Sequence, residues 1–365
     1  MTPDSAVIAP LPVPKSLDVS DPAAADFIAA VELVNGNLRG IWGNDDFRDA
    51  PGTQLAGFHP SPMRRRILLG ARIGDELVGV ATLKLPMLDN LHAATVQVHV
   101  APAVRESGLG NRLYAAAEEA ATADGRRTLL GETDHPVRPG FASGPVMAPK
   151  SGFGEIPADS AARFAAERDF ELEQVERVSL LDLTRSADWQ EQLEAAAAVA
   201  GPDYALEFWQ GACPDHLVDA YALLRQKMST DAPMAGLDLE EELWDADRLR
   251  AGEAKVREMD AEELVSAVRH VPTGELAGHT VLMVFNGNPA VAFQDDTLVL
   301  GAHRGHGLGM LLKTANLVRL QQELPAASRV WTWNAAENTH MLAINEALGF
   351  EPVGYSGEWQ KLIRG

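Results

Sequence analysis

The spacing of apolar residues along the chain predicts the same series of elements twice. In the first half, helical spacing predicts a helix over 23–38, and alternating apolar and polar positions predict a strand, turn and strand over 66–85. In the second half, the predicted elements are a strand at 204–208, helices at 214–228 and 241–249, and a strand, turn and strand over 264–285. In both halves a strand, a helix, a strand, a helix and a final strand follow. This order indicates two copies of one α/β unit.

Two turns with the same residue spacing lie at matching places in the two copies. The first is Arg105-Glu-Ser-Gly-Leu-Gly110, and the second is Arg304-Gly-His-Gly-Leu-Gly309. Each follows a strand that ends in a valine five residues before the arginine, Val100 or Val299, and each precedes a helical stretch. We call these segments the first and the second glycine turn.

A second pair of matching segments, around Phe170 and Phe350, ends the last helix of each copy. The first copy has the longer connection between its glycine turn and its phenylalanine, which we assign to a Gly- and Pro-rich loop over 135–157. A length of 365 residues is also typical of two domains. The predicted domains are 1–185 and 201–365, joined by an Ala-rich connector helix over 186–200.

The glycine turns have features of a phosphate-binding site. A strand that runs directly into a helix leaves the first backbone N–H groups of the helix free to bind an anion, and glycine lets a ligand approach the backbone. The alternative is that the glycines only permit a tight turn. Dinucleotide-binding and P-loop motifs fit less well, because Leu113 and Leu312 stand in place of a third glycine and no Gly-Lys-Ser/Thr follows. Repetition of the turn favours phosphate binding.

Composition narrows the classes of partner. The formal net charge of −21 argues against a nucleic-acid partner, because nucleic-acid binding depends on basic surface, and it favours a small or cationic substrate. The single cysteine, Cys213, excludes an internal disulfide and a Cys-rich metal cluster, and no metal site is predicted. No apolar run approaches the roughly 20 residues of a membrane helix, and the first 14 residues do not resemble a secretory signal. We therefore expect no membrane partner and a cytoplasmic location.

With this order of elements and the Arg-x-x-Gly-x-Gly turns, the chain resembles the GNAT family of N-acetyltransferases over nearly its whole length, as two tandem units. In layout it is similar to mycothiol synthase and to tandem acetyltransferases of antibiotic clusters. The resemblance implies two GNAT folds, each a mixed, mostly antiparallel sheet flanked by helices, in the α/β (α+β) class. It also implies acetyl-CoA as the cofactor, with its pyrophosphate on the glycine turns and its pantetheine arm along the preceding strand. The residues implied in coenzyme binding are Leu298, Val299, Arg304, Gly305, His306, Gly307, Leu308, Gly309, Met310, Asn334 and Asn338 in the second copy, and Val100, Arg105, Glu106, Ser107, Gly108, Leu109, Gly110 and Asn111 in the first.

One further family pattern distinguishes the copies. The family places an Asn at the start of the last helix, twelve residues before the final Phe, and Asn338 meets this count before Phe350. The same count before Phe170 gives Ala158, and Asp169 replaces the glycine before that Phe. The resemblance therefore implies a catalytic second domain, and a first domain that is structural or binds the cofactor without turnover.

The resemblance also implies direct attack of an amine on the thioester, which requires a base for the amine and an acid for the departing thiolate. Asp295 and Asp296, on the strand before the second glycine turn, are the candidate bases, with solvated strand-end acids as the alternative. Asn345 replaces the usual acid of the family, a Tyr in the last helix. Tyr355 is the remaining candidate acid, with a core tyrosine as the alternative. The expected function is acylation of a small-molecule amine by a monomer or homodimer, and the alternative is a non-catalytic sensor or scaffold that binds acyl-CoA.

Overall fold

The fold is given by a computed structural model that describes residues 5–138, 144–185, 188–231 and 233–363. The described residues form two compact units. Unit 1 lies within Met1–Val175, Ala235–Leu239 and Tyr355–Gly365, and unit 2 within Glu176–Met234 and Glu240–Gly354. This division follows contacts in space, whereas the predicted domains follow the sequence repeat and stay a prediction.

Unit 1 contains four helices among its described residues. They are α1 (Pro22–Trp42), α2 (Pro51–Phe58), α3 (Leu109–Ala123) and α4 (Ser160–Ala166). Its strands, numbered along the whole chain, are β1 (Val7–Pro10), β2 (Arg64–Ile73), β3 (Glu76–Pro86), β4 (Ala93–Val100), β5 (Thr128–Pro136), β6 (Val146–Met147), β7 (Ile156–Pro157) and the part of β14 (Glu351–Leu362) from Tyr355 onward.

The main sheet of unit 1 has the order β1-β2-β3-β4-β5, and the unit 1 residues of β14 lie beside β5. Neighbours from β1 to β4 are antiparallel, whereas β4 and β5 are parallel. The parallel pair extends over only three residues of each strand, Ala93–Thr95 and Thr128–Leu130. The pairing of the two strands ends at Thr95 and Leu130.

Local sequence explains how the first elements begin and end. Asp21 caps α1 by accepting a hydrogen bond from Ala23 N at 2.9 Å, Pro22 occupies the first helical position, and Gly43 ends the helix at φ +76°. Gly74, at φ +62°, permits the tight turn between β2 and β3.

Apolar residues on the two faces of the unit 1 sheet form two cores, one under α1 and α2 and the other under α3. Members of the first include Phe27, Leu55, Leu68 and Val80, and members of the second include Leu83, Leu113, Ala117 and Leu129. Because alternate strand residues face opposite sides, β2 and β3 contribute to both cores, with Leu68 and Val80 in the first and Leu69 and Ala81 in the second.

Unit 2 repeats this arrangement. Its helices are α5 (Trp189–Ala200), α6 (Val218–Asp231), α7 (Ala246–Glu258), α8 (Leu308–Glu323) and α9 (Thr339–Ala347). Its strands are residues 176–182 of β8 (Glu171–Asp182), β9 (Tyr204–Gln210), β10 (Ala261–His270), β11 (Leu276–Phe285), β12 (Val291–Val299) and β13 (Arg329–Ala335), in the sheet order β8-β13-β12-β11-β10-β9. The parallel pair, β12 and β13, again extends over three residues of each strand.

The predicted fold class is confirmed, because each unit has a mixed, mostly antiparallel sheet flanked by helices. The predicted loop over 135–157 is wrong at its start, because β5 continues to Pro136, and the short pair β6–β7 lies within the stretch. The connector helix is present as α5, capped by Asp188. Ser186, its predicted start, lies outside the described residues.

Candidate active site

The two glycine turns have the same backbone geometry. In the first, Arg105 Nε donates to the Val100 carbonyl at 3.3 Å, and in the second, Arg304 Nε donates to the Val299 carbonyl at 3.2 Å. The glycine before each helix is left-handed, at φ +84° before α3 and +71° before α8. The first N–H groups of both helices therefore emerge from a glycine turn without partners inside the helix, which is the geometry of an anion-binding site.

The space beside the two turns differs. A Cβ atom added to Gly108 would meet no heavy atom within 4 Å, whereas one added to Gly307 would lie 2.9 Å from Val199 of α5. At the last glycine of each turn the two repeats are alike. A Cβ atom added to Gly110 would lie 3.1 Å from Phe164, and one added to Gly309 would lie 2.9 Å from Ile344. The first turn therefore has more free space beside its left-handed glycine than the second turn does.

The first glycine turn borders a cavity of about 1260 Å³ within unit 1. Part of the wall comes from Arg105, Glu106, Gly108, Gly110 and Asn111, and other parts come from β3, β4, β5, α1 and α4. This volume exceeds the roughly 300–1,000 Å³ of common small-molecule pockets. The end of the pairing between the parallel strands and the first glycine turn therefore border one large cavity.

One face of the unit 1 sheet presents charged side chains to this cavity. Arg66 on β2 lies directly opposite Lys84 on β3. Lys84 pairs with Thr95 of β4, and Thr95 pairs with Leu130 of β5, so these residues lie on one face of the sheet. Because alternate residues of a strand share a face, Glu132 and Asp134 lie on the same side as this cationic pair. All four line the cavity. We call Arg66, Lys84, Glu132 and Asp134 the charged face.

The environment shifts the pKa of three of these groups. Burial, followed by the charge of Glu132, raises the pKa of Asp134 to about 7. Burial, with the charges of Arg66 and Arg64, lowers the pKa of Lys84, and burial, with the charge of Arg64, lowers that of Arg66. A carboxyl group with a pKa near neutral is well matched to accept a proton at physiological pH.

The opposite face of β5 carries a chain of hydrogen bonds. His135 Nδ1 lies 2.9 Å from Asp159 Oδ2, and His135 Nε2 lies 2.8 Å from Thr133 Oγ1. Trp359 Nε1 also donates to Thr133 Oγ1, at 2.8 Å. Because the Asp159 carboxylate can only accept, Nδ1 of a neutral His135 carries the proton and Nε2 accepts from the Thr133 hydroxyl. These four residues, which we call the His135 chain, all line the cavity.

Comparison with known proteins supports the fold. Residues 31–139, which include the first glycine turn and much of the cavity wall, match the acetyltransferase (GNAT) family. Over 99% of both chains, the structure is similar to a tandem GNAT protein from the clavulanic acid biosynthesis pathway, solved without AcCoA, with 25% sequence identity and a TM-score of 0.76. The chain is a tandem GNAT-fold protein.

A second solved structure shares the tandem GNAT fold. It is a GCN5-related N-acetyltransferase from Sphaerobacter thermophilus, which is 13% identical with a TM-score of 0.64 over 100% of this chain and 98% of the other. Comparison with curated proteins gives no significant match. Together, the family match and the tandem GNAT neighbour support acyl transfer as the general activity.

In unit 2, the two predicted bases form an ion-pair cluster. A bulge in β12 places Asp295 and Asp296 opposite a single residue of β11. Nη1 of Arg225, from α6, lies 2.8 Å from Asp296 Oδ2 and 3.6 Å from Asp295 Oδ2. Burial opposes ionisation of Asp296, but the charge of Arg225, with His279 Nε2 4.0 Å from Asp296 Oδ2, outweighs it and lowers the pKa of Asp296 to about 2. Burial and the charge of Asp296 raise the pKa of Asp295.

The predicted asparagines of unit 2 form hydrogen bonds within the fold. Asn334 Oδ1 accepts from Asn345 Nδ2 at 2.6 Å. Asn338 caps α9 by accepting from Met341 N at 3.2 Å. The prediction that Asn334 and Asn338 also contact the coenzyme stays a prediction.

The equivalent of Asn338 in the first repeat is Asp159 rather than Ala158. Asp159 caps α4 as Asn338 caps α9. The distance from the cap to the final phenylalanine is 170 − 159 = 11 residues in the first repeat and 350 − 338 = 12 in the second, because α4 is two residues shorter than α9 and the turn after it is one residue longer. The first repeat therefore carries a hydrogen-bonding cap where the sequence count found an alanine.

The remaining predicted residues have clear positions. Tyr355 belongs to unit 1, where it packs against the core under α3, whereas Asp295 and Asp296 belong to unit 2. No single unit therefore contains all three predicted catalytic residues. Within the first turn, Ser107 Oγ donates to the Val104 carbonyl at 2.6 Å. The other predicted coenzyme residues are Glu106 at φ +61°, Leu109 and Gly110 at the start of α3, Asn111 exposed on α3, Leu298 buried in β12, Gly305 at φ +85°, His306 beside the Tyr204 ring, and Leu308, Gly309 and Met310 at the start of α8.

Sequence reasoning missed the charged face and the His135 chain. Both depend on β5, whose segment Gly131-Glu-Thr-Asp-His135 alternates acids with threonine and histidine. That alternation signals two chemically different faces of one strand. Among the described residues, no helix is long and apolar enough to cross a membrane, and no group of three or more His, Cys, Asp or Glu residues could hold a metal ion.

Proposed function

We propose that this protein is an acyl-CoA-dependent N-acyltransferase whose reaction takes place in the cavity of unit 1. It would transfer an acyl group, acetyl by analogy with the family, from the coenzyme thioester to the amine of a small molecule. The observation that carries the proposal is that the first glycine turn, the charged face and the His135 chain border the same cavity.

The sequence favours the second domain as the reaction centre, and two features support the first repeat instead. Its glycine turn is open, and it borders a large cavity. Carboxyl groups with raised pKa values occur in both repeats, at Asp134 in the first and at Glu263 and Asp295 in the second, so this property does not distinguish them. In the second repeat, α5 packs against the glycine turn, and Arg225 binds both predicted bases. We assign the second repeat a structural role, and its turn, Arg304–Met310, stays a candidate second coenzyme site.

In this proposal the first repeat binds the coenzyme through backbone groups. The N–H groups of Arg105–Asn111 and the positive end of α3 would hold the pyrophosphate. The edge of β4 beyond Thr95, which has no parallel partner on β5, would bind the extended pantetheine arm. When bound, the coenzyme supplies the acyl group as a thioester that is activated toward an amine.

The charged face would prepare the amine. An aliphatic amine is protonated at neutral pH and must lose a proton before it can attack a carbonyl carbon. With its pKa raised to about 7, Asp134 is a better proton acceptor than an ordinary aspartate, which is ionised but weakly basic. Glu132, on the same face, provides a second carboxylate beside it.

The His135 chain would return a proton to the departing group. When His135 is protonated, its Nε2 donates to Thr133 Oγ1, and the hydroxyl proton of Thr133 becomes free to move. Thr133 would then give this proton to the departing group and recover one from His135 Nε2. Asp159 stabilises the His135 imidazolium that these proton transfers require. The chain takes the role that a tyrosine of the last helix has in the family.

A matched pair of variants tests the proposal. Asn111 and Met310 hold the same position in the two glycine turns, and a glutamate at either position would repel phosphate while remaining acceptable to a helix N-terminus. We expect Asn111→Glu to abolish thiol release from acetyl-CoA with an amine panel, and Met310→Glu to preserve it. Calorimetry would measure acetyl-CoA binding, and Asn111→Gln would serve as control. Loss of activity in Met310→Glu alone would return the reaction to the second domain, whereas acetyl-CoA binding without thiol release from any amine would favour the sensor or scaffold alternative.

A further inference from the structure

The charged face contains two cations whose charges the described residues do not neutralise by ion pairing. Arg66 Nη1 donates a long hydrogen bond of 3.4 Å to Gln54 Oε1, and Arg66 Nε is buried without a partner in the described part of the chain. Neither Arg66 nor Lys84 lies within the 4.0 Å of an ion pair with any carboxylate that the structure describes. Both side chains line the cavity.

Keeping these two cations together is unfavourable for the fold. Like charges directly opposite each other on neighbouring strands repel, and burial removes the water that would stabilise them. The nearby Asp49 carboxyl accepts from Gln54 Nε2 at 2.5 Å, and burial raises its pKa, which reduces its value as a counter-charge. Glu132 interacts with Lys84 only at longer range. A ligand anion between Arg66 and Lys84 would remove this cost.

The β5 side of the charged face carries carboxyl groups instead of cations. Glu132 and Asp134 lie on β5, two strands from Lys84, which is a lateral spacing of about 10 Å. They are also two and four residues further along β5 than Leu130, the residue in register with Lys84, which adds about 7 Å and about 13 Å along the strand. Long lysine and arginine side chains can span part of that distance. A molecule that carries an anion at one end and an amine at the other can therefore contact both halves of the charged face.

We propose that the acceptor is an amino acid or a similar molecule with both an amine and a carboxylate. Arg66 and Lys84 bind its carboxylate, and this contact directs its amine toward Glu132 and Asp134. The inference rests on the proposed function for the role of the amine, but the carboxylate site exists independently of catalysis. An amine without an anion leaves the two cations unpaired and binds less tightly.

Binding measurements on the full chain saturated with coenzyme A test this proposal without turnover. The probes are 6-aminohexanoate against hexylamine, and L-lysine against cadaverine, by calorimetry at constant ionic strength. We expect each carboxylate-bearing probe to bind at least about tenfold more tightly than its partner, because a charge-assisted hydrogen bond contributes roughly 1.5–3 kcal/mol. Lys84→Met and Arg66→Gln should remove this preference, and Arg48→Gln, at an exposed arginine paired with Glu32, should preserve it.

The outcomes separate this inference from the proposed function. Equal binding of both members of each pair, or a preference unchanged in Lys84→Met and Arg66→Gln, overturns the carboxylate site. Carboxylate-dependent binding without acyl transfer to any amine supports the site and contradicts the proposed reaction. Transfer to hexylamine and 6-aminohexanoate with equal kcat/KM supports the reaction and contradicts the amino-acid acceptor. Lys84→Met removes a buried charge, so its melting temperature should not fall, and the test does not depend on an unstable variant.

Discussion

His135 and Asp159 are joined by a hydrogen bond of 2.9 Å that connects a buried imidazole to the N-cap of α4. The other oxygen of the carboxylate accepts from Ala161 N and Ala162 N. Burial alone would raise the pKa of Asp159, but the interactions with His135 and with the two backbone N–H groups lower it. Asp159 therefore fixes the start of the helix and the orientation of the imidazole together.

The first prediction separates these two roles of Asp159. Asn caps helices as well as Asp does, so Asp159→Asn should change the free energy of unfolding by less than about 1 kcal/mol. Because the variant lacks the charge that stabilises a His135 imidazolium, kcat should fall by about 10²-fold or more, the range of general acid catalysis. Steady-state kinetics and thermal unfolding measure the two effects. Asp159→Ala, which removes the cap as well, should lose both activity and stability, and normal kcat in Asp159→Asn would refute the relay.

The second prediction concerns the pH dependence of the reaction. Burial and Glu132 raise the pKa of Asp134 to about 7, so the basic form of Asp134 increases as pH rises through 7. The acylation rate should therefore rise across that range. In Glu132→Gln, the neighbouring charge is absent, the pKa of Asp134 falls, and the rise should move to lower pH. A kcat/KM profile from pH 5 to 9 measures both curves.

The Asp134 carboxyl group also makes the stability of the protein depend on pH. Its pKa in the folded state is above the ordinary value of 3.8, so the folded state binds more protons between pH 3.8 and about 7. Stability should decrease as pH rises through this window, by up to about 1.4 kcal/mol per pH unit for one proton. Asp134→Asn should lack this decrease and should also lack the kinetic rise near pH 7. A profile of Asp134→Asn that still rises near pH 7 would mean that another group is the base.

The third prediction tests the bases suggested by sequence. Asp296→Asn would remove the close partner of Arg225 and leave a buried guanidinium with Asp295 alone. Breaking a buried ion pair in this way typically costs about 3–5 kcal/mol. We expect lower stability in urea unfolding and an unchanged kcat in the folded protein. A kcat reduced by orders of magnitude at full stability would instead support Asp296 as the base and the second repeat as the reaction centre.

Much of the fold follows from the sequence because the strongest signals are local and repeated. Glycine at positive φ before α3 and α8, the tight turn at Gly74 and the apolar period of the helices all have direct physical causes. The division into compact units does not follow from the repeat. Residues of β14 from Tyr355 belong to unit 1, and residues 176–182 of β8 belong to unit 2. Strand pairing across such sequence distances leaves no local signal in either segment.

The candidate site was less predictable than the glycine turns. The predicted role of the glycine turns depends on backbone N–H groups, and the spacing of the glycines in the sequence is enough to locate them. The charged face arises from pairing between β2, β3, β4 and β5, so Arg66 and Glu132 become neighbours on one face only after the register is known. The count that selected Ala158 failed for a similar reason, since it assumed equal helix lengths and the true cap is Asp159.

The final prediction concerns Lys313, a buried lysine in α8 of unit 2. Its ammonium lies 5.7 Å from the centre of the Phe350 ring, and its side chain is almost fully enclosed. Burial lowers the pKa of Lys313 to about 7, from an ordinary value of 10.5. The unfolded chain therefore binds more protons between pH 7 and 10.5, and stability should increase as pH rises through this window.

Lys313→Met should stabilise the protein at neutral pH, because methionine fills a similar volume and has no charge to desolvate. The gain should be largest near and below pH 7 and should shrink by about 1.4 kcal/mol for each pH unit above it. Urea unfolding at pH 7 and pH 9 measures this difference, and Lys255→Met, at a lysine that pairs with Glu258, provides the control. Equal stability of wild type and Lys313→Met at both pH values would show that Lys313 remains charged in the folded protein and has a compensating partner.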